Sequence, residues 1–299
     1  MKTKENRQFY IDALKGLGIV LVVFGHVLDG YIRGNIYPDS KTMLFAQYNT
    51  IYAFHMPLFF ILSGYVYQLI FLNDEGIVKS HSHLKSQIVK CIYLYFVWSI
   101  ILGLFKVVFS RFTNTGVSFS DILLIPVKTI PPYWYLYVLV AYYLIFSIKF
   151  LYKHEKITFF VLLSISALAF ILPFISWLDF THVLYYLVYF YTGILLCKHK
   201  ISSHASAIIF LLFAISIFLN IQNIEVLINY TVPINIICGL GYSLFVFWIF
   251  QRFQNWFKPN NILVFLGKNS LEIFVLHCYF TGFFRVILFK GGYRTYILI

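Results

Sequence analysis

Apolar residues run along this chain in long stretches separated by short polar segments, at 11–32, 51–72, 88–110, 133–152, 157–176, 180–197, 205–221, 231–250 and 269–289. A helix needs about 20 apolar residues to cross some 30 Å of hydrocarbon, and most of these stretches approach or exceed that length. In lipid the backbone must satisfy its own hydrogen bonds, so the pattern predicts an all-α polytopic membrane bundle of nine to ten helices. The closing Tyr296-Ile297-Leu298-Ile299 reads as the apolar beginning of a tenth, which is expected to be cut short or absent. No connecting loop exceeds about 22 residues, too short for a second soluble domain. Residues 1–299 are therefore expected to be one integral-membrane domain, with any chemistry inside the bundle.

Composition narrows the reading further. With 61% hydrophobic and 11% charged residues and a mean hydropathy of +0.81, the chain lacks the polar residues to cover a soluble surface. Its net charge of +12 would suggest nucleic acid on a soluble domain. Here the cations sit mainly in loops between apolar stretches, where they set orientation and meet membrane lipids, so no nucleic-acid partner is expected. With the N-terminus in the cytoplasm, inner segments carry more Lys and Arg than outer segments, which favours that orientation. Lys2, Lys4 and Arg7 precede the first stretch as in a secretory signal, but no small-x-small cleavage site follows, so this is read as an uncleaved first helix. Cys91, Cys197, Cys238 and Cys278 lack C-x-x-C spacing and signal neither a disulfide framework nor a zinc site. His81-x-His83 is a weak metal pattern, and no metal is expected. The 24 Tyr, 34 Phe and 5 Trp suit an interfacial belt. Around Tyr133-Trp134-Tyr135 they equally suit a stacking surface for sugar rings.

Ionisable groups inside apolar helices are costly and point to function. The first stretch holds Asp12, Lys15, His26 and Asp29. Lys15 and His26 are eleven residues apart, so they return to within roughly 20° of one helical face, about 16 Å apart along the axis. Asp12 with Lys15, and His26 with Asp29, are spaced three apart, close enough for one member to orient or compensate the other. The second stretch carries His55 about a turn inside its outer end, a depth expected to match His26, and Pro57 interrupts its ladder. Ser63-Gly64 suits close helix approach. The last stretch holds Glu272 and His277. Between the second and third stretches Lys79 and Lys85, followed by Lys90, form a basic patch suited to a positive-inside loop or to the phosphates of a donor. There is no P-loop, nucleophile elbow, zinc-protease or dinucleotide motif.

Four blocks resemble a known family, the integral-membrane acyltransferase 3 family of bacterial O-acyltransferases. Lys15 through His26 matches its Arg/Lys, ten residues, His signature. Phe54-His55-Met56-Pro57-Leu58-Phe59-Phe60 through Ser63-Gly64 is similar to the block of its fucose acetylase-like and intercellular-adhesin-like branch. Tyr133-Trp134-Tyr135-Leu136 resembles an aromatic patch opening a later helix, and Leu266 to His277 resembles the closing pattern. Leu94 stands where the family usually has Pro, and Phe274 where it has Tyr. The resemblance implies a multi-pass enzyme of the bacterial cytoplasmic membrane. It would move an acyl group, acetyl first among candidates, from acyl-coenzyme A to a carbohydrate or polysaccharide hydroxyl. Acetyl-CoA would be a co-substrate, with no permanently bound cofactor. His26 would be the general base, with Asp12, Lys15 and His55 also catalytic. Lys15, Lys79, Lys85 and Lys90 would meet the donor, and Asp29, Trp134, Tyr135, Glu272 and His277 the acceptor. The alternative is a carrier or exporter of lipid-linked or polymeric glycan, whose buried charges line a pathway.

Overall fold

A computed structural model describes residues 8–33, 41–109, 117–169, 180–222 and 232–290. The described residues are helical apart from turns and one isolated antiparallel bridge, Leu72 with Val78. Among the described residues six helices are long and apolar enough to cross a membrane, or seven if one bent pair is a single span. Nine to ten were expected. The stretch at 133–152 yields only α5, Trp134–Ile145, before a 3-10 turn at Lys149–Tyr152, and that at 157–176 yields α6, Glu155–Leu168. Residues 170–179, completing the latter, lie outside the described residues, as do Lys2, Lys4, Arg7 and the C-terminal 291–299.

The remaining helices in chain order are α1 Phe9–Arg33, α2 Lys41–Phe71, α3 His81–Val108, α4 Phe119–Leu123, α7 Phe180–Tyr185, α8 Leu187–Lys198, α9 Ser203–Gln222, α10 Val232–Arg252, α11 Ile262–Lys268 and α12 Ser270–Lys290. The second apolar stretch starts ten residues earlier than expected, and α2 continues through Pro57. α11 and α12 form the bent pair, turning by 85° at Asn269. The chain divides into two compact units, residues 1–62 with 201–299, and residues 63–200.

In the first unit, glycines let backbones touch. A Cβ on Gly16 would overlap the Leu263 carbonyl, and one on Gly267 would overlap the Asp12 carbonyl, so α1 and α11 pack main chain on main chain. Between helices in lipid there is little hydrophobic drive, and such close approach supplies the attraction. Gly18 makes room for the Phe59 ring, and Gly25 for Ile51 and Tyr52. α2 is tied to α9 by Asn220, whose amide donates to Thr50 Oγ1 at 2.6 Å, and to α10 by the Ser243 hydroxyl, which donates to the Phe54 carbonyl at 3.4 Å.

The second unit is held by aromatics with satisfied hydroxyls. Tyr67, Tyr142, Tyr189, Tyr191, Phe146 and Phe190 are fully buried, and Phe146 stacks on Phe190 with centroids 4.9 Å apart. A buried phenol needs a partner, and irregular or broken backbone provides one. Tyr95 donates to the Ile125 carbonyl (2.7 Å), Tyr142 to Val183 (2.7 Å), Tyr152 to Phe146 (2.6 Å) and Tyr191 to Leu151 (3.1 Å). Much of the aromatic excess is thus core, a use that neither an interfacial belt nor a sugar-stacking surface anticipates. Gly64 sits against the Phe190 carbonyl with no room for a Cβ, in keeping with the expected close approach at Ser63-Gly64. Where α6 begins and α8 ends, Glu155 pairs with Lys198 and with His199 Nε2 at 2.6 Å. Burial alone would raise this carboxyl; the hydrogen bonds from Lys198 and His199 outweigh it and leave its pKa below the ordinary value.

Gly16→Val should force α1 from α11 and lower stability by roughly 1–3 kcal/mol, as overpacking does, whereas Gly282→Ala, with nothing within 4 Å of the added carbon, should be neutral; thermal unfolding in detergent reads both. Glu155→Gln should lower stability at neutral pH by about 1.5–3 kcal/mol, the value of hydrogen bonds to charged groups. Because the folded pKa is depressed, this stabilisation is fully present above the unfolded carboxylate pKa of about 4.3 and is lost as pH falls through the lower folded value. Melting curves of the two proteins should therefore converge in strong acid.

Candidate functional site

The first unit brings three helices together around one stripe of α1. On a helical projection Gly16 and Asp12, which touch α11, and Gly18, Gly25 and Asp29, which face α2, flank Lys15 and His26 by roughly 40–100° on either side. Lys15 and His26 thus line the seam between two packed faces, and both are half-buried. Asp12 is buried in the first turn of α1, where a carboxylate suits the positive end of the helix dipole.

His26 meets His277 of α12, the ring centroids lying 4.9 Å apart at 43°. His277 is 4% exposed, and its Nδ1–H donates to the Phe274 carbonyl at 2.6 Å. A carbonyl can only accept, so the neutral ring carries its proton on Nδ1 and leaves the Nε2 lone pair for other partners. Cys278 Sγ lies 3.3 Å from that Nε2. Two imidazoles therefore share one seam.

The register between α1 and α2 corrects one expectation. Gly18 meets Phe59, Gly25 meets Tyr52, and Asp29 accepts a hydrogen bond from the Tyr48 hydroxyl at 3.3 Å, so a step up α1 is matched by a step down α2. His55 consequently falls opposite Val22, four residues below His26 and roughly 6 Å from its level. The equal depth expected for His26 and His55 assumed helices starting at matching ends, whereas α2 begins ten residues earlier. His55 is buried, donates from Nδ1 to the Ile51 carbonyl at 2.7 Å and lies edge-on to Tyr52. It thus sits on the Lys15 side of His26.

The other expected residues belong to other elements. Glu272 is exposed in the first turn of α12, and five helical positions turn it to a different face from His277. Trp134, Tyr135, Lys79, Lys85 and Lys90 belong to the second unit. There Trp134 stacks on His182 (4.6 Å) and Tyr186 (5.3 Å), and the Tyr135 hydroxyl is hydrogen-bonded to Ser63 Oγ at 2.6 Å. Lys79 donates to the Leu69 carbonyl near the end of α2 (3.2 Å), and Lys85 and Lys90 are exposed on α3. Among the described residues no group of three His, Cys, Asp or Glu is placed to hold a metal. Sequence reasoning passed over Tyr48 and Tyr52, stacked at 4.1 Å. Their spacing of four, a helical turn before His55, was the available signal.

Comparisons with known proteins bear on the family. Nodulation protein NolL of Sinorhizobium fredii is 43% identical over 61 residues, and Nodulation protein NolL of Mesorhizobium japonicum is 42% identical over 62. Each match takes in 20% of this chain and 16% of the relative, so the aligned segment spans about a sixth of those proteins. No solved structure matches. The acyltransferase domain of the acyltransferase 3 family matches residues 8–299, nearly the whole chain and all the helices that build the seam; the protein belongs to that family.

Proposed function

We propose that the protein transfers an acyl group, acetyl first among candidates, from cytoplasmic acyl-coenzyme A to a hydroxyl of a cell-surface or exported carbohydrate, with His26 as general base. The observation carrying this reading is the Lys15–His26 stripe of α1, which meets His277 at its upper end. Family membership and the partial likeness to nodulation proteins support it.

In this reading the donor approaches along the seam from the α1 N-terminus. Lys15, placed by Asp12, meets its phosphates or carbonyl, and the roughly 16 Å from Lys15 to His26 is about the span of an extended pantetheine arm. Neutral His26 removes the acceptor hydroxyl proton. The oxygen attacks the thioester carbonyl, the new C–O bond forms, the C–S bond breaks, and the thiolate leaves as coenzyme A and takes up a proton. His277, with Nδ1–H committed to Phe274, offers Nε2 as the neighbouring proton acceptor. His55, about 6 Å toward Lys15, serves the donor side. The exposed Lys79, Lys85 and Lys90 are an approach surface for the anionic donor. Asp29 belongs to the acceptor end, and the Trp134 and Tyr135 aromatics suit stacking on a sugar ring. The enzyme resides in the bacterial cytoplasmic membrane with its N-terminus inside.

Loss of a general base slows a reaction by about 10²–10⁴-fold. His26→Ala should therefore reduce coenzyme A release from acetyl-CoA by at least 10²-fold in purified, detergent-solubilised protein, with its melting temperature near that of wild type. Undiminished turnover in the folded variant would remove His26 from the chemistry. A wild-type protein that ignores acetyl-CoA yet moves glycan across a bilayer would replace the enzyme with a carrier.

A further inference from the structure

Asn49 lies on α2 one residue beyond Tyr48 and is 2% exposed, yet neither its amide nitrogen nor its amide oxygen has a hydrogen-bond partner. Its neighbour makes the contrast plain. Thr50 donates to the Ala46 carbonyl at 2.8 Å and accepts from Asn220 at 2.6 Å, so the adjacent polar group is fully used. A buried amide left unmet is costly and calls for an explanation such as an absent ligand. By the α1–α2 register Asn49 falls opposite Leu28, two residues or roughly 3 Å from the level of His26. It lies toward Asp29 and away from Lys15. Three further features surround that level: the Asp29 carboxylate with the Tyr48 hydroxyl, the Tyr48–Tyr52 stack, and half-buried Tyr52, which shares a helical face with Asn49 at a spacing of three.

We propose that Asn49, beside the Asp29–Tyr48 pair, is a hydroxyl-recognition site for the carbohydrate acceptor, holding a sugar ring next to His26. This rests on the acyl-transfer reading above, to which it adds a residue and a subsite. The amide has both a donor and an acceptor unmet, matching vicinal sugar hydroxyls, which each donate and accept. A thioester carbonyl would use the donor alone. Position agrees, because Asn49 is on the side of His26 opposite the cation assigned to the donor. An aromatic pair beside a polar amide and a carboxylate is also the chemistry that accommodates both the apolar face and the hydroxyl edge of a pyranose.

The test is direct binding of a panel of radiolabelled methyl pyranosides (glucoside, galactoside, mannoside and rhamnoside) to the full-length detergent-purified protein, by equilibrium dialysis without acetyl-CoA. Wild type should bind at least one. Asn49→Leu, similar in size but without hydrogen-bonding groups, should bind it at least tenfold more weakly while its unliganded melting temperature is equal or higher, since the buried polar group is gone. Asn49→Ser should fall between them and covers the case in which the leucine variant does not fold. Binding equal in wild type and both variants, or no glycoside bound by wild type, overturns the proposal. Glycoside binding that depends on Asn49, in a protein that fails to consume acetyl-CoA, would leave this site standing and remove the acyl-transfer reading alone.

Discussion

The contact of α1 with α11, backbone against backbone at Gly16 and Gly267, is the constraint on which the candidate site depends. α11 leads into α12 through an 85° turn at Asn269, so fixing α11 against α1 also fixes where α12 begins. Seven residues later, about 10 Å along that helix, His277 arrives beside His26. Any side chain at position 16 or 267 would intervene between the two main chains. Without a strong hydrophobic force between helices in lipid, such small-residue contacts set both affinity and register.

Polar groups inside this bundle are mostly tethered, and the tethers separate scaffold from chemistry. His55 and His277 spend Nδ1–H on carbonyls of their own helices, so each imidazole has a fixed orientation, and His277 Nε2 lies against Cys278 Sγ. Buried Tyr67, Tyr95, Tyr142, Tyr152 and Tyr191 of the second unit spend their hydroxyls on backbone carbonyls, meeting the requirement that low dielectric imposes on a buried phenol. Against that background the unmet amide of Asn49 stands out, and Lys15 and His26 are ionisable groups held half-buried within α1. A membrane protein keeps such groups within its helices at a cost, and that cost is why they are assigned to function.

What the sequence made legible was local. Lys15 and His26 share a face because helical periodicity needs only the spacing of two residues, and the close approach at Gly64 could be expected because only glycine lacks the atom that would prevent it. The pairing of His26 with His277 depends on the turn at Asn269, which no spacing reveals. The level of His55 was misjudged because Gln47, Asn49 and Thr50 dilute the apolar signal at the start of α2. That helix was therefore begun at 51 instead of Lys41, and the register against α1 shifted. Glu272 was grouped with His277 for being charged in the same stretch, though five residues turn it to another face. The aromatic core of the second unit was hidden in composition, since tyrosines whose hydroxyls are satisfied internally look the same in sequence as tyrosines at an interface.

The central claim is that the reacting centre is the α1 seam at His26. It is tested most directly by mapping histidine modification with diethyl pyrocarbonate, by peptide mass spectrometry, with and without saturating acetyl-CoA. Half-buried His26 should react ahead of the buried His55 and His277, its modification should track the loss of acetyl-CoA turnover, and the donor should protect it. Equal modification of His26 with and without donor, while activity is lost through a histidine of the second unit, would contradict the account.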